Sequence, residues 1–189
     1  MHACTIGIDP SLNSTGVCVN SNGAKHYYII TGHMTKAMSS FKHKDIEYRP
    51  YEKQDTNKKL NTYNTVENHK SLNVMHICDE IERIVKQHPG CAVNMEGISY
   101  GSAGSAALAD LAGLNFAIRL TLLKSGVQHI GIVTPGALKK FATANGSADK
   151  DLMVHSWLVC EPHLKEVTGI KVDDLADAYF LSCYDNVEA

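Results

Sequence analysis

The feature that most constrains this chain is a change of rhythm partway along it. Apolar, β-branched runs at Thr5 to Ile8, Gly16 to Val19 and Tyr27 to Thr31 are separated only by the turn-rich stretches DPSLNST and NSNGAK. That pattern predicts three antiparallel strands joined by hairpins. Further on, Val74, Ile77, Cys78, Ile81, Ile84 and Val85 follow the i, i+3, i+4, i+7 spacing of one helical face, which predicts a helix over Ser71 to Gln87 stopped by Pro89-Gly90. A short strand CAVNME, a helix from Ser105 to Lys124 and a strand VQHIGIVTP come next, and ADKDLMVHSWLV and VDDLADAYFLSCYD read as two more helices. Helix alternating with strand calls for parallel pairing. The expected class is therefore α/β: a mixed sheet, an antiparallel meander and then parallel strands, flanked by helices.

Between the two rhythms lies a polar stretch, about residues 32–68, low in aliphatic residues and expected to be an irregular loop or insertion. At 189 residues, 44% hydrophobic and 20% charged, the chain suits one domain spanning 1–189 with a real core. No apolar run is expected to approach a membrane span of ~20 residues, and the start MHACTIGIDP lacks the regions of an export signal. The expectation is a soluble, cytoplasmic protein, with no membrane partner. Six cysteines (Cys4, Cys18, Cys78, Cys91, Cys160 and Cys183) form no C-x-x-C pair and read as reduced core thiols. The ten histidines make no zinc spacing, so they read as solvated or structural.

A net charge of −2 gives no global sign of a polyanion partner. Two basic groups stand out, one from Lys36 to Lys70 and one at Lys139, Lys140 and Lys150. Taken alone, each reads equally well as solvated surface or as a phosphate-facing patch.

The acids are more informative. GIDP sets Asp9, and NMEG sets Glu96, at the end of an apolar strand, where an open α/β sheet commonly presents its site. In the last helix Asp174 and Asp177, three residues apart, share a face. Asp173 reads as the helix N-cap. Converging carboxylates would repel and raise one another's pKa unless a cation held them, and magnesium is the natural candidate. Two such ions roughly 4 Å apart can activate a water and stabilise a leaving oxygen.

Four segments in order then resemble the RuvC family of Holliday junction resolvases, within the RNase H-like superfamily, and more closely its phage-type members. IGIDPSLNSTGVCV is similar to the family's first strand and turn, and NMEGISYGSAGSAALADLAGL to its Glu-bearing strand and next helix. TPGALKKFATANGSADKDLMV resembles the segment with two functional lysines, and VDDLADAYFLS the closing D-x-x-D-A helix. The resemblance implies an RNase H-like fold, catalytic metal-binding acids at Asp9, Glu96, Asp174 and Asp177, and DNA-contacting lysines at Lys139 and Lys150. Where bacterial members carry an aromatic three residues after the Glu, this chain has Ser99, and Tyr100 is the nearest aromatic to fill that DNA-binding role.

It further implies a Mg2+-dependent crossover junction endodeoxyribonuclease with two ions per site, Mn2+ being able to substitute. Its substrate would be branched DNA, especially four-way junctions, and its assembly a homodimer. The helix Ser105 to Lys124 is a reasonable dimer face, and core packing explains its apolar residues equally well. If phage-encoded, it would work in the host cytoplasm, in DNA recombination and repair. Two rivals stand beside it. An actin-like phosphotransferase needs a second, adenosine-binding half, and GSAGSA lacks the G-K-[ST] ending of a Walker loop. A non-catalytic branched-DNA-binding protein would not need all four acids.

Overall fold

The computed structural model of the protein describes residues 4–98, 105–167 and 172–184. A six-stranded sheet runs through the middle of the molecule. In chain order its strands are β1 (Cys4–Asp9), β2 (Ser14–Ser21), β3 (Ala24–Thr31), β4 (Ile46–Pro50), β5 (Ala92–Glu96) and β6 (Ile130–Val133). Their order across the sheet is β4-β3-β2-β1-β5-β6. β1 with β2 and β2 with β3 pair antiparallel. β1 with β5, β5 with β6 and β3 with β4 pair parallel. This is the mixed, RNase H-like sheet expected of the chain.

Alternation along each strand sorts its side chains onto two covered faces. Ile6, Ile8, Val17, Val19, Tyr28, Ile30, Val93 and Met95 point to one face. There they meet Ile77, Ile81 and Ile84 of α2 (Tyr63–Gln87) and Leu114, Ile118 and Leu122 of α3 (Ser105–Lys124). Cys18, Tyr27 and Ile29 point to the other face. They pack with Trp157 of one helix, Lys150–Cys160, and with Leu175, Ala178 and Leu181 of another, Val172–Cys183. The fully buried Trp157 also donates its indole N–H to the Tyr27 hydroxyl at 3.2 Å.

Three expectations need correction. The polar stretch 32–68 is not wholly irregular. It contains a short helix, α1 (Lys36–Ser40), and β4, an edge strand beside β3, while α2 begins already at Tyr63, capped by the Thr62 hydroxyl. Backbone pairing with β3 supplies what the local sequence of β4 does not signal. The cysteines are not all reduced: Cys4 and Cys91 form a disulfide, with Cα atoms 4.7 Å apart. The register pairing Thr5 with Ala92 brings Cys4 of β1 beside Cys91, the residue just before β5, although 87 residues separate them in sequence. Cys18, Cys78, Cys160 and Cys183 are free thiols. Finally, Ala106–Lys124 is by length and composition apolar enough to cross a membrane. In this fold α3 instead packs Leu114, Ile118 and Leu122 into the core, while Phe116, Leu120 and Leu123 face outward, each more than half exposed.

Candidate active site

The parallel register that sets Ile8 beside Met95 carries the chain one residue further to Asp9 and Glu96, at adjacent strand ends. By alternation both acids share a sheet face with Gly7 and Asn94, the face covered by the last helix, which is α6 once the remaining helices are numbered α4 (Pro135–Thr143) and α5 (Lys150–Cys160). Two glycines decide how close α6 can come. A β-carbon on Gly7 would collide with the Ala178 carbonyl oxygen, and one on Gly16 with the Asp174 carbonyl oxygen. Gly16 is the β2 partner of Asp9. Glycine at these two places therefore lets the Asp174-Asp177 turn of α6 lie over the end of β1.

Two buried asparagines hold the neighbouring strand. Asn94 donates from its side chain to the Leu181 and Tyr184 carbonyls at 3.0 and 2.7 Å, tying β5 to the far end of α6. Asn115 donates to the Glu96 carbonyl at 3.0 Å, tying the acid-bearing end of β5 to α3. The turn after Asp9 is equally constrained: Thr15 donates to the Ser11 carbonyl at 2.8 Å, and Thr31 to the Asn13 carbonyl at 3.1 Å.

The electrostatics reflect this convergence. Burial, and then Glu96, Asp177 and Asp174, push the Asp9 carboxyl well above its usual value, and Asp9 and Glu96 stand within hydrogen-bonding reach. Burial and then Asp177 push Glu96 up to about 7, against the opposing charges of Lys139 and Lys150. Asp177 rises to about 6, by burial first; Asp173 and Asp174 add to the rise, and Lys150 and Lys139 oppose it. Asp9 thus feels the other three expected acids, Asp177 acts on both strand-end acids, and both expected lysines act on Glu96 and Asp177.

The lysines differ in how they are held. Lys139, on α4, is half-buried while its neighbour Lys140 is exposed, so the two are not an equivalent solvated pair. Lys150 opens α5 and bonds the Asp173 carboxylate at 2.7 Å. Asp173 therefore does not fit the N-cap expectation: it lies inside the first turn of α6, where it positions Lys150. Tyr100 and Ser99 lie outside the described residues.

Chemically, four carboxylates form a hard-oxygen donor set of the kind Mg2+ and Mn2+ prefer, and their raised pKa values mark a repulsion that a divalent cation would relieve. The donor chemistry fits such an ion. Yet among the described residues no group of three His, Cys, Asp or Glu side chains stands close enough to hold a metal as it is. The two observations are compatible because Coulombic coupling reaches well beyond coordination distance.

No family model matches the chain, and no curated protein sequence does either. Solved structures do. A Thermus thermophilus RuvC structure superposes with a TM-score of 0.55 at 17% identity, covering 95% of this chain and 90% of that one. T. thermophilus RuvC in complex with Holliday junction substrate superposes with a TM-score of 0.62 at 16% identity, covering 96% and 91%. Over nearly its whole length this chain is similar in fold to RuvC.

Proposed function

We propose that the protein is a divalent-metal-dependent endonuclease of branched DNA, with Holliday junctions as its principal substrate. The observation that carries this reading is the mutual electrostatic coupling of Asp9, Glu96, Asp174 and Asp177 at one end of an RNase H-like sheet. A purely structural role would not gather acids that each raise the cost of ionising the next.

In this reading the four acids hold two Mg2+ ions, Mn2+ being able to substitute. When bound, the ions supply the charge that activates a water and stabilises the leaving oxygen in phosphodiester hydrolysis. The chain's own residues do the rest. Asp9 and Glu96 set the donor oxygens on two adjacent strands, and Asn115 keeps the Glu96 end from shifting. Lys139 and Lys150 offset the acids and hold the DNA backbone, an interaction that weakens steeply with salt. Asp173 restrains Lys150, so that its charge is presented from a fixed place. Tyr100 takes the stacking role at the branch.

A four-way junction can have two-fold symmetry, so paired incisions call for a C2 dimer. The outward face of α3, with Phe116, Leu120 and Leu123, is the surface we assign to it. The whole chain acts as one domain, in the cytoplasm, in recombination and repair.

A second reading, a non-catalytic branched-DNA-binding protein, draws on the lack of ligand spacing among the described acids. The two readings part on one experiment: incubation of labelled four-way, three-way and linear duplex DNA with the wild type and Asp9→Asn, with Mg2+. Symmetric nicks in branched DNA by the wild type, and binding without nicks by the variant, are the expected result. Binding without nicks by both would leave only the binding protein.

A further inference from the structure

The start of β2, at the acid-bearing end of the sheet, holds a buried polar group that the hydrogen-bond network does not account for. Of the buried polar side chains among the described residues, Thr15, Thr31, Asn73, Asn94, Asn115 and Ser182 all make hydrogen bonds. Ser14, the first residue of β2, is only 1% exposed, yet its hydroxyl has no partner among the described residues. A buried, unmatched hydroxyl costs free energy that alanine, of nearly the same size, would not. Such a group needs a reason to be there.

Its place in the sheet supplies one. Side chains alternate along β2, so that Val17 and Val19 face α2 and α3 while Gly16 and Cys18 face α6. Ser14 therefore shares the α6 face, two residues beyond Gly16 towards the acids. Gly16 is itself the β2 partner of Asp9. Ala178 and Leu181 of α6 lie over Gly7, and Asp174 lies over Gly16. Continued in the same direction, the first turn of α6, with Asp173 and Asp174, is the part of the helix nearest Ser14. Asp173 already holds Lys150 at 2.7 Å. Asp174 has its β-carbon against the Ser14 strand, 3.2 Å from where a Gly16 β-carbon would stand, and its charge acts on Asp9.

We propose that Ser14 is a positioning residue for Asp174: its hydroxyl donates to the Asp174 carboxylate when a divalent cation is bound, and fixes how that carboxylate is turned. Carboxylates that hold a metal are themselves hydrogen-bonded, and loss of such a partner weakens metal binding by ~10–100-fold. Among the described acids no three stand at ligand spacing, so side chains must turn for an ion to be held. The hydroxyl gains its partner in that change, and the cost of burying it is recovered on binding. The inference rests on reading the four acids as a cation site, and it holds whatever DNA that site acts on.

Ser14→Ala is the test, because its two expected effects have opposite signs. In EDTA its thermal midpoint should equal or exceed that of the wild type, since an unmatched hydroxyl is removed. Titrated with Mn2+, with the free ion counted by its electron paramagnetic resonance signal, the variant should bind about tenfold more weakly than the wild type. A merely structural role would lower the midpoint and leave the Mn2+ affinity alone. Equal Mn2+ affinities, or a midpoint in EDTA below that of the wild type, would overturn the proposal. If the two affinities differ as expected and the wild type does not nick branched DNA, the nuclease reading falls and the role of Ser14 stands. If the wild type nicks and the affinities agree, the role of Ser14 falls and the nuclease reading stands. No Mn2+ binding by the wild type would overturn the proposal together with the cation site.

Discussion

The two ends of the β1-β5 pair are built on opposing principles. At one end Cys4 and Cys91 join the strands covalently, next to the well-packed Ile6 and Val93. At the other end, five residues along each strand, Asp9 and Glu96 bring carboxyls together under a helix that adds two more. One end stabilises the pairing and the other opposes it. The difference teaches where this fold tolerates unfavourable charge: at the end of a strand pair whose register is already secured elsewhere, by the disulfide and by Asn94 and Asn115.

Breaking the acidic end should have the largest effect on activity and little on stability. Asp9→Asn is expected to lower the nicking of branched DNA by more than about 100-fold, beyond the ~10–100-fold typical of outer-shell partners. Its unfolding midpoint without metal should not fall, because a buried repulsion is removed. Cleavage rates and thermal melts in EDTA check the two halves.

Breaking the covalent end should do the reverse. Cys4→Ser is expected to lower stability by roughly 2–4 kcal/mol, read by denaturant unfolding, while nicking at a temperature where the variant stays folded is largely kept. Adding a dithiol reductant to the wild type should reproduce the loss and leave the variant unchanged.

Asn115→Ala sharpens the comparison by acting between the two ends. Loss of its bond to the Glu96 carbonyl should cost about 1–3 kcal/mol and slow nicking as well, since the same bond sets the position of an acid. A variant that loses stability but nicks at the full rate would limit Asn115 to packing.

The remaining effect is on the pH dependence of stability. Glu96 and Asp177 titrate near 7 and 6 when folded, against about 4 when unfolded. Between pH 4 and 7 the folded chain therefore holds protons that the unfolded chain has released. Their contribution to stability is full below about pH 4 and is lost as pH rises through 6 to 7. Melts in EDTA from pH 5 to 8 should show this decline, and Glu96→Gln should flatten it.

Much of this was legible in the sequence, and what was not has a physical reason. The strand-end acids could be read because apolar alternation locates strand ends, and a carboxylate there needs compensation. The meander and α2 announced themselves by period, although the first turns of α2, with few aliphatic residues, did not; α3, α5 and α6 were legible as segments but not by an apolar stripe. The supporting residues were hidden because their partners are distant. Gly7 and Gly16 matter only once α6 lies across them, and Asn94 bonds a carbonyl 87 positions away. The signal available was a polar Asn inside an apolar strand, CAVNME, and another inside an apolar helix. The edge strand β4 and the disulfide likewise exist only through sheet register.

The most direct test of the central claim, that four acids form one cation-dependent site, is the unfolding midpoint at pH 8 as Mn2+ is titrated into the wild type, Asp9→Asn and Asp177→Asn. The account predicts a midpoint that rises with Mn2+ for the wild type, by mass action on the folded state, and a much smaller rise for both variants. Equal responses from all three proteins, or none from the wild type, would contradict it.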